Sequence, residues 1–197
     1  MPEAPSLETG RLLECVVTSP GEGGETHVAP MGPIVDPEFS RVLLRPFRGS
    51  ATLENLKRER RCVLNIIDDV HLIAAAALRL LKEPPPLAET PDGGFALADA
   101  CRWHSLAVES IDETNERTRI VCTVTGSGRN RDFVGFNRAM SAVIEAAILA
   151  TRLHLLPFGE VSRKLDELER PVSKTGGPRE RAAFAMVVDY VKENADP

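Results

Sequence analysis

Aromatic residues are scarce: the 197-residue chain has one Trp, one Tyr and seven Phe. A broad platform for stacking single-stranded bases needs more, so that class is set aside. Charge of one sign is lacking too. The chain carries 24 Lys and Arg against 29 Asp and Glu, a net charge of −5 with both signs mixed along it. A general nucleic-acid surface needs concentrated positive charge, so no nucleic-acid partner is expected, although a local basic pocket is allowed. No Cys-x-x-Cys pair exists. The four cysteines, Cys15, Cys62, Cys101 and Cys122, stand far apart in apolar runs and read as small buried hydrophobes, so no metal site is expected. Long hydrophobic runs are missing as well. Leu72–Leu81 is interrupted by Arg79 and is too short to cross a bilayer. The N-terminus lacks a basic region followed by an apolar core. The expectation is a cytoplasmic protein with no membrane association.

What is present suits one good core, or one domain with an appendage: 43% of residues are hydrophobic and 27% charged. Residues 1–10 read as a loose arm. Arg11–Thr18 is β-branched and apolar enough for a strand, and the glycine-rich 19–25 segment is a turn. Thr26–Val35 pairs back on the first strand as a hairpin. Pro30 and Pro33 remove ladder donors and confine it to an edge or a bulge. Gly32 leaves backbone open there, which suits a flat ligand lying over bare main chain and suits equally a proline-broken edge strand. Phe39–Phe47 is a third strand, Thr52–Arg60 a short helix and Arg61–Ile67 a fourth strand. Val70–Lys82 is a helix packed against the sheet, stopped by Pro84-Pro85-Pro86. Arg102–Asp112 and Thr118–Gly126 make a second hairpin, and Gly126–Asp132 a glycine–arginine turn. Beyond it the period becomes helical over Phe136–Leu156, with Phe136, Met140, Val143 and Ala147 on the buried arc. Glu145 and Arg152 within that pattern pair together, face solvent or reach a ligand. Glu160–Arg170 and Arg179–Glu193 are two further helices, with Pro178 at a first helical position. Six antiparallel strands with short connections favour a small closed β-barrel. The division is residues 1–132 for the barrel and 133–197 for a C-terminal α-helical tail packed on it.

The densest chemistry lies at Arg45–Asn55 (Arg-Pro-Phe-Arg-Gly-Ser-Ala-Thr-Leu-Glu-Asn), where a strand becomes a helix. A helix start carries orphan N–H groups and partial positive charge. Arginines and hydroxyls beside it form a socket for phosphate. The same residues read as an ordinary N-cap at Ser50 or Thr52 with solvated arginines.

Three segments together resemble a prokaryotic family of FMN-binding split-barrel proteins, related in fold to flavin reductases and pyridoxamine-phosphate oxidases. They are Thr26–Gly32 (Thr-His-Val-Ala-Pro-Met-Gly), Arg45–Asn55, and Gly135–Ala147 with its Asn-Arg-Ala helix start. The resemblance spans nearly the whole chain. It implies a six-stranded antiparallel split β-barrel and a homodimer with FMN at or near the subunit interface. It implies that Arg45, Arg48, Ser50, Thr52 and Asn55 hold the phosphate. It places Ala29, Met31 and Gly32 along the isoalloxazine through their backbone, with Asn65 at the polar edge of the ring. Asn137, Arg138 and Glu145 become second-subunit or rim contacts. His27 stands where relatives commonly carry asparagine and keeps a polar group on the ligand segment.

FMN would bring the redox chemistry and the protein its orientation and electrostatics. No acid–base dyad with fixed spacing is evident, and the catalytic residues are left unassigned. His71, His104 and His154 are isolated, and His27 alone lies on a suspected ligand segment. No Gly-x-Gly-x-x-Gly fingerprint marks a dinucleotide domain, so a nicotinamide or other small electron donor would visit the flavin directly. The expected function is a flavin-dependent oxidoreductase acting on a small soluble redox partner. The alternatives are an FMN-binding module for storage or sensing, and a plain scaffold.

Overall fold

The structure, a computed structural model, describes residues 7–194. Positions 1–6 of the expected arm lie outside that range. The strands are β1 (Arg11–Leu12), β2 (Cys15–Pro20), β3 (Thr26–Met31), β4 (Ile34–Val35), β5 (Arg41–Leu44), β6 (Arg61–Ile66), β7 (Leu87–Glu89), β8 (Phe95–Leu97), β9 (Arg102–Asp112) and β10 (Arg119–Arg129). Eight of them form one antiparallel sheet in the order β1-β4-β5-β10-β9-β6-β2-β3, and β7 and β8 form a separate ladder.

Eight strands stand in this sheet where the sequence leads to six. The difference comes from two bends. The first expected strand breaks between β1 and β2, and the second breaks at Gly32-Pro33 between β3 and β4. The breaks face each other: the Leu13 N–H donates to the Pro33 carbonyl at 3.0 Å. Pairing of Cys15 with Met31 on one side therefore resumes as Leu12 with Ile34 on the other. This bent hairpin serves both ends of the sheet, since β2 pairs with β6 while β4 pairs with β5. The sheet curls on itself as a result. β3 comes last in the order, the edge position that Pro30 requires.

Alternating side chains fill the inside of the curl. Val17, Val42, Leu44, Leu64, Leu106 and Ile120 pack with Leu53 and Leu56 of α1 (Ala51–Glu59). Cys15, Cys62 and Cys122 join them as small apolar groups. Burial pushes the Cys122 thiol up to about 12 and Cys62 well above its ordinary value, so neither is a ready nucleophile. β10 runs on through the expected glycine turn to Arg129. Its Gly128 lies under the Trp103 indole, where an added Cβ would come within 2.4 Å of the ring.

The helices are α2 (Val70–Ala77), α3 (Arg138–Ala150), α4 (Phe158–Thr175) and α5 (Pro178–Asn194), with Pro178 at a first helical position. α2 was expected against the sheet, but its Val70 and Ala74 belong to a second core with Val143, Val161, Leu165, Phe184 and Val187. α3 starts only at the Asn137 cap, which leaves Phe136 outside the helix and fully exposed. α4 continues through Pro171 to Thr175. The contacts divide the chain into two compact units: residues through Ile67 with Pro84–Asp132, and Asp68–Glu83 with the residues from Phe133 on. Among the described residues, no helix is long and apolar enough to cross a membrane.

Candidate functional site

The β4–β5 ladder pairs Val35 with Val42 and Ile34 with Leu43, then stops at Pro33. Beyond Pro33 the chain bends at Gly32 and Met31 pairs with Cys15 of β2, while β5 ends at Leu44 and Arg45 follows it. Pro33, next after the ladder, and Pro46, two residues beyond β5, both lack an N–H, which gives a local reason for the sheet to part there. A Cβ on Gly32 would meet its nearest neighbour, Leu12, only at 3.6 Å, so none of the described residues crowds that backbone. Arg45 leaves β5 on the other side of the split. Its Nε is buried with no hydrogen-bond partner among the described residues. A guanidinium donor withdrawn from water and left unpaired is costly, and an anion would satisfy it.

The chain from Arg45 to α1 is braced by the β9–β10 turn. The Pro46 carbonyl accepts from both the N–H and the hydroxyl of Thr118, at 3.0 and 2.8 Å. The Arg48 N–H donates to the Glu116 carbonyl at 3.0 Å. Gly49 turns with φ of +71°, a conformation that favours glycine. Ser50 caps α1, its oxygen accepting from the Leu53 N–H at 3.3 Å. That fulfils the N-cap reading, and the Ser50 hydroxyl proton is still available to an acceptor. Thr52 is only 3% exposed, and its hydroxyl has no hydrogen-bond partner among the described residues. Arg48 is exposed, with no ion-pair partner among them.

Two of the expected ligand contacts are occupied by the protein. Asn55 donates to Ser19 Oγ at 3.0 Å and accepts from Arg58 at 3.1 Å. Asn65 is fully buried. Its amide nitrogen lies within 3.2 Å of the Val16 and Val63 carbonyls and of Thr18 Oγ1, and its oxygen accepts from the Leu97 N–H at 2.8 Å. Its hydrogen bonds fasten β8 to β6 and β2.

His27, Ala29 and Met31 follow one another on β3, register with Ser19, Val17 and Cys15, and are half-buried. Burial lowers the His27 pKa, with Glu25 opposing the shift, so its imidazole is neutral at pH 7. Asn137 and Arg138 belong to the helical unit. Asn137 caps α3 through the Ala139 N–H at 2.8 Å and ties it to the Thr175 carbonyl at 3.0 Å. Arg138 is exposed. Glu145 and Arg152 are exposed and form no ion pair with each other. A cavity of about 600 Å³ between α4 and α5, floored by Leu165, Val172 and Phe184, includes none of the expected site residues.

Two features had no sequence signal. His104 is 8% exposed, its Nδ1 has no hydrogen-bond partner among the described residues, and its ring stacks on Phe39 at 4.7 Å. The Arg117 guanidinium lies 4.3 Å from the centre of the Phe47 ring. Each pair is joined only by the tertiary fold.

Two family models match the chain. One, the N-terminal domain of the DUF447 proteins of unknown function, covers residues 13–131, and the other, a further DUF447 region, covers 137–189. The chain belongs to the DUF447 family. Among solved structures, an FMN-bound DUF447 protein from Methanosarcina mazei superposes with a TM-score of 0.77. The two are 22% identical over 92% of this chain and 95% of that one. The styrene monooxygenase flavin reductase of Pseudomonas putida S12 gives 0.50 at 20% identity, over 59% of this chain and 80% of its own. An FMN-binding protein from Thermus thermophilus gives 0.51 at 14% identity, over 66% and 78%. The DUF447 chain therefore has a flavin reductase-like fold: a curled antiparallel sheet with helices.

Proposed function

We propose that this DUF447 protein binds FMN at the split between β3 and β5 and acts as a flavin-dependent oxidoreductase on a small soluble redox partner. The observation that carries the reading is the Nε of Arg45, buried at the exit of β5 with no hydrogen-bond partner among the described residues. The FMN-bound DUF447 relative and the flavin reductases of like fold support it.

In this reading Arg45 and the N-terminus of α1 neutralise the cofactor phosphate, and the hydroxyls of Thr52 and Ser50 donate to it. Arg48 lies at the exposed edge of the same anion site. The open backbone at Gly32, with Ala29 and Met31 on the edge strand, offers a flat surface for a planar ring. Asn55 and Asn65 shape the site from behind, since their amides are spent on Ser19, Arg58, Val16 and Leu97. His27 is a neutral polar group that can hold one hydrogen bond. A bound flavin supplies the capacity to accept and pass on reducing equivalents. A homodimer in the cytoplasm is part of the proposal, and the exposed Arg138 is available to a neighbouring subunit.

Purified protein should be yellow and should release FMN on denaturation, as identified by mass spectrometry. Replacing both Arg45 and Thr52 by alanine should weaken FMN by about a hundredfold or more, since charge-assisted contacts contribute about 1.5–3 kcal/mol each. Unchanged affinity in that double variant sinks the phosphate assignment. Anaerobic bleaching by a reduced nicotinamide supports turnover. A flavin that no common donor bleaches makes the protein a storage or sensing module instead.

A further inference from the structure

Phe47, two residues beyond Arg45, is 50% exposed. The ring has a neighbour on the adjoining turn. The Phe47 backbone bridges to Arg117, and the Arg117 guanidinium covers the ring at 4.3 Å. The hydrogen bonds from Arg48 to Glu116 and from Thr118 to Pro46 hold the two segments together on either side. The result is a partly open aromatic surface, braced through its backbone, with two exposed guanidinium groups, Arg48 and Arg117. Neither forms an ion pair among the described residues. A phenyl face, a stacking guanidinium and an unpaired cation are the set that recognises a purine base carrying a phosphate.

We infer that Phe47, Arg117 and Arg48 form a docking platform for an adenylate group, beside the anion site of Arg45. The base stacks on the Phe47–Arg117 pair and Arg48 takes the phosphate. The inference rests on the flavin reading for its meaning, because adenylate can reach this place from two sources. One is the adenine half of a nicotinamide dinucleotide visiting the flavin. The other is the adenine half of FAD, with its flavin phosphate at Arg45. The chemistry at Phe47 is the same for both.

The experiment is a calorimetric titration of the full-length protein with 5′-AMP, in the presence and absence of FMN. Wild type should bind AMP, and Phe47→Ala and Arg117→Ala should each weaken it about tenfold, while Phe47→Tyr keeps it. Melting temperatures of the variants check that the fold is intact. Absence of AMP binding, or equal binding by all variants, overturns the platform. If FMN fails to bind while AMP behaves as described, the flavin reading falls and the platform stands. Two further arms assign the source. An affinity advantage of FAD over FMN that disappears in Phe47→Ala assigns the platform to the flavin. On FMN-loaded protein, an advantage of a nicotinamide adenine dinucleotide over nicotinamide mononucleotide that disappears in the same variant assigns it to the donor.

Discussion

His104 shows how one side chain couples the core to pH. It is buried and stacked on Phe39, with Nδ1 unpaired among the described residues, and burial followed by the nearby Arg102 lowers its pKa. A lowered histidine pKa means that the unfolded chain binds more protons between the folded value and about 6.5. Stability therefore rises with pH across that window and is lost as pH falls through it, with no contribution above it. His27 acts in the same direction. Thermal melts should show a falling melting temperature as pH drops from 7 towards 5. His104→Phe should reduce that fall while costing less than about 1.5 kcal/mol at pH 7, because a buried orphan nitrogen is replaced by a ring of similar size. An acid profile identical to wild type counts against this account of His104.

Among the elements, the β9–β10 hairpin has the clearest internal test. Gly128 is needed by the approach of Trp103 across the ladder, since an added Cβ would lie 2.4 Å from the indole. Gly128→Ala must push the ring aside, at a cost of about 1–3 kcal/mol. Trp103 is the only tryptophan, so its emission reports the displacement directly. A spectrum and a denaturation midpoint equal to wild type would show that the indole has room to move. The glycines of 126–132 read as a turn because glycine is the commonest punctuation of a chain. Gly128 in fact serves a cross-strand contact, which no local pattern reveals. β7 and β8 leave no local pattern for a related reason. They are three residues each; β7 pairs with β8, and β8 is tied to the sheet by a long-range bond from the Leu97 N–H to Asn65.

At the scale of the whole molecule, the chain has two cores, one inside the curled sheet and one among the helices. The proposed cofactor site belongs to the first. FMN at a hundred times its Kd should stabilise the unit that holds it by about 2.7 kcal/mol. Trp103 fluorescence reads that unit, and an unfolding transition that ignores FMN would show that the flavin binds elsewhere or not at all. The same linkage checks the Arg45 and Thr52 double variant, whose transition should respond to FMN only at much higher concentration.

The sequence by itself determined the elements whose physics is local. β6 and β9 follow from runs of β-branched and apolar side chains, α1 from its Ser50 cap, and α5 from Pro178 at its start. The proline pair around Gly32 marked an edge before any pairing was known, because a residue without an N–H cannot sit inside a ladder. Only the tertiary structure decided what those elements do to one another. It bent two of the expected strands so that one hairpin serves both ends of the sheet, drew α2 into the helical core, and spent the amides of Asn55 and Asn65 on the protein. It also left the Arg45 Nε buried and, among the described residues, unpaired. These outcomes depend on which distant groups compete for the same hydrogen bonds and apolar surface, and a linear pattern carries no record of that competition.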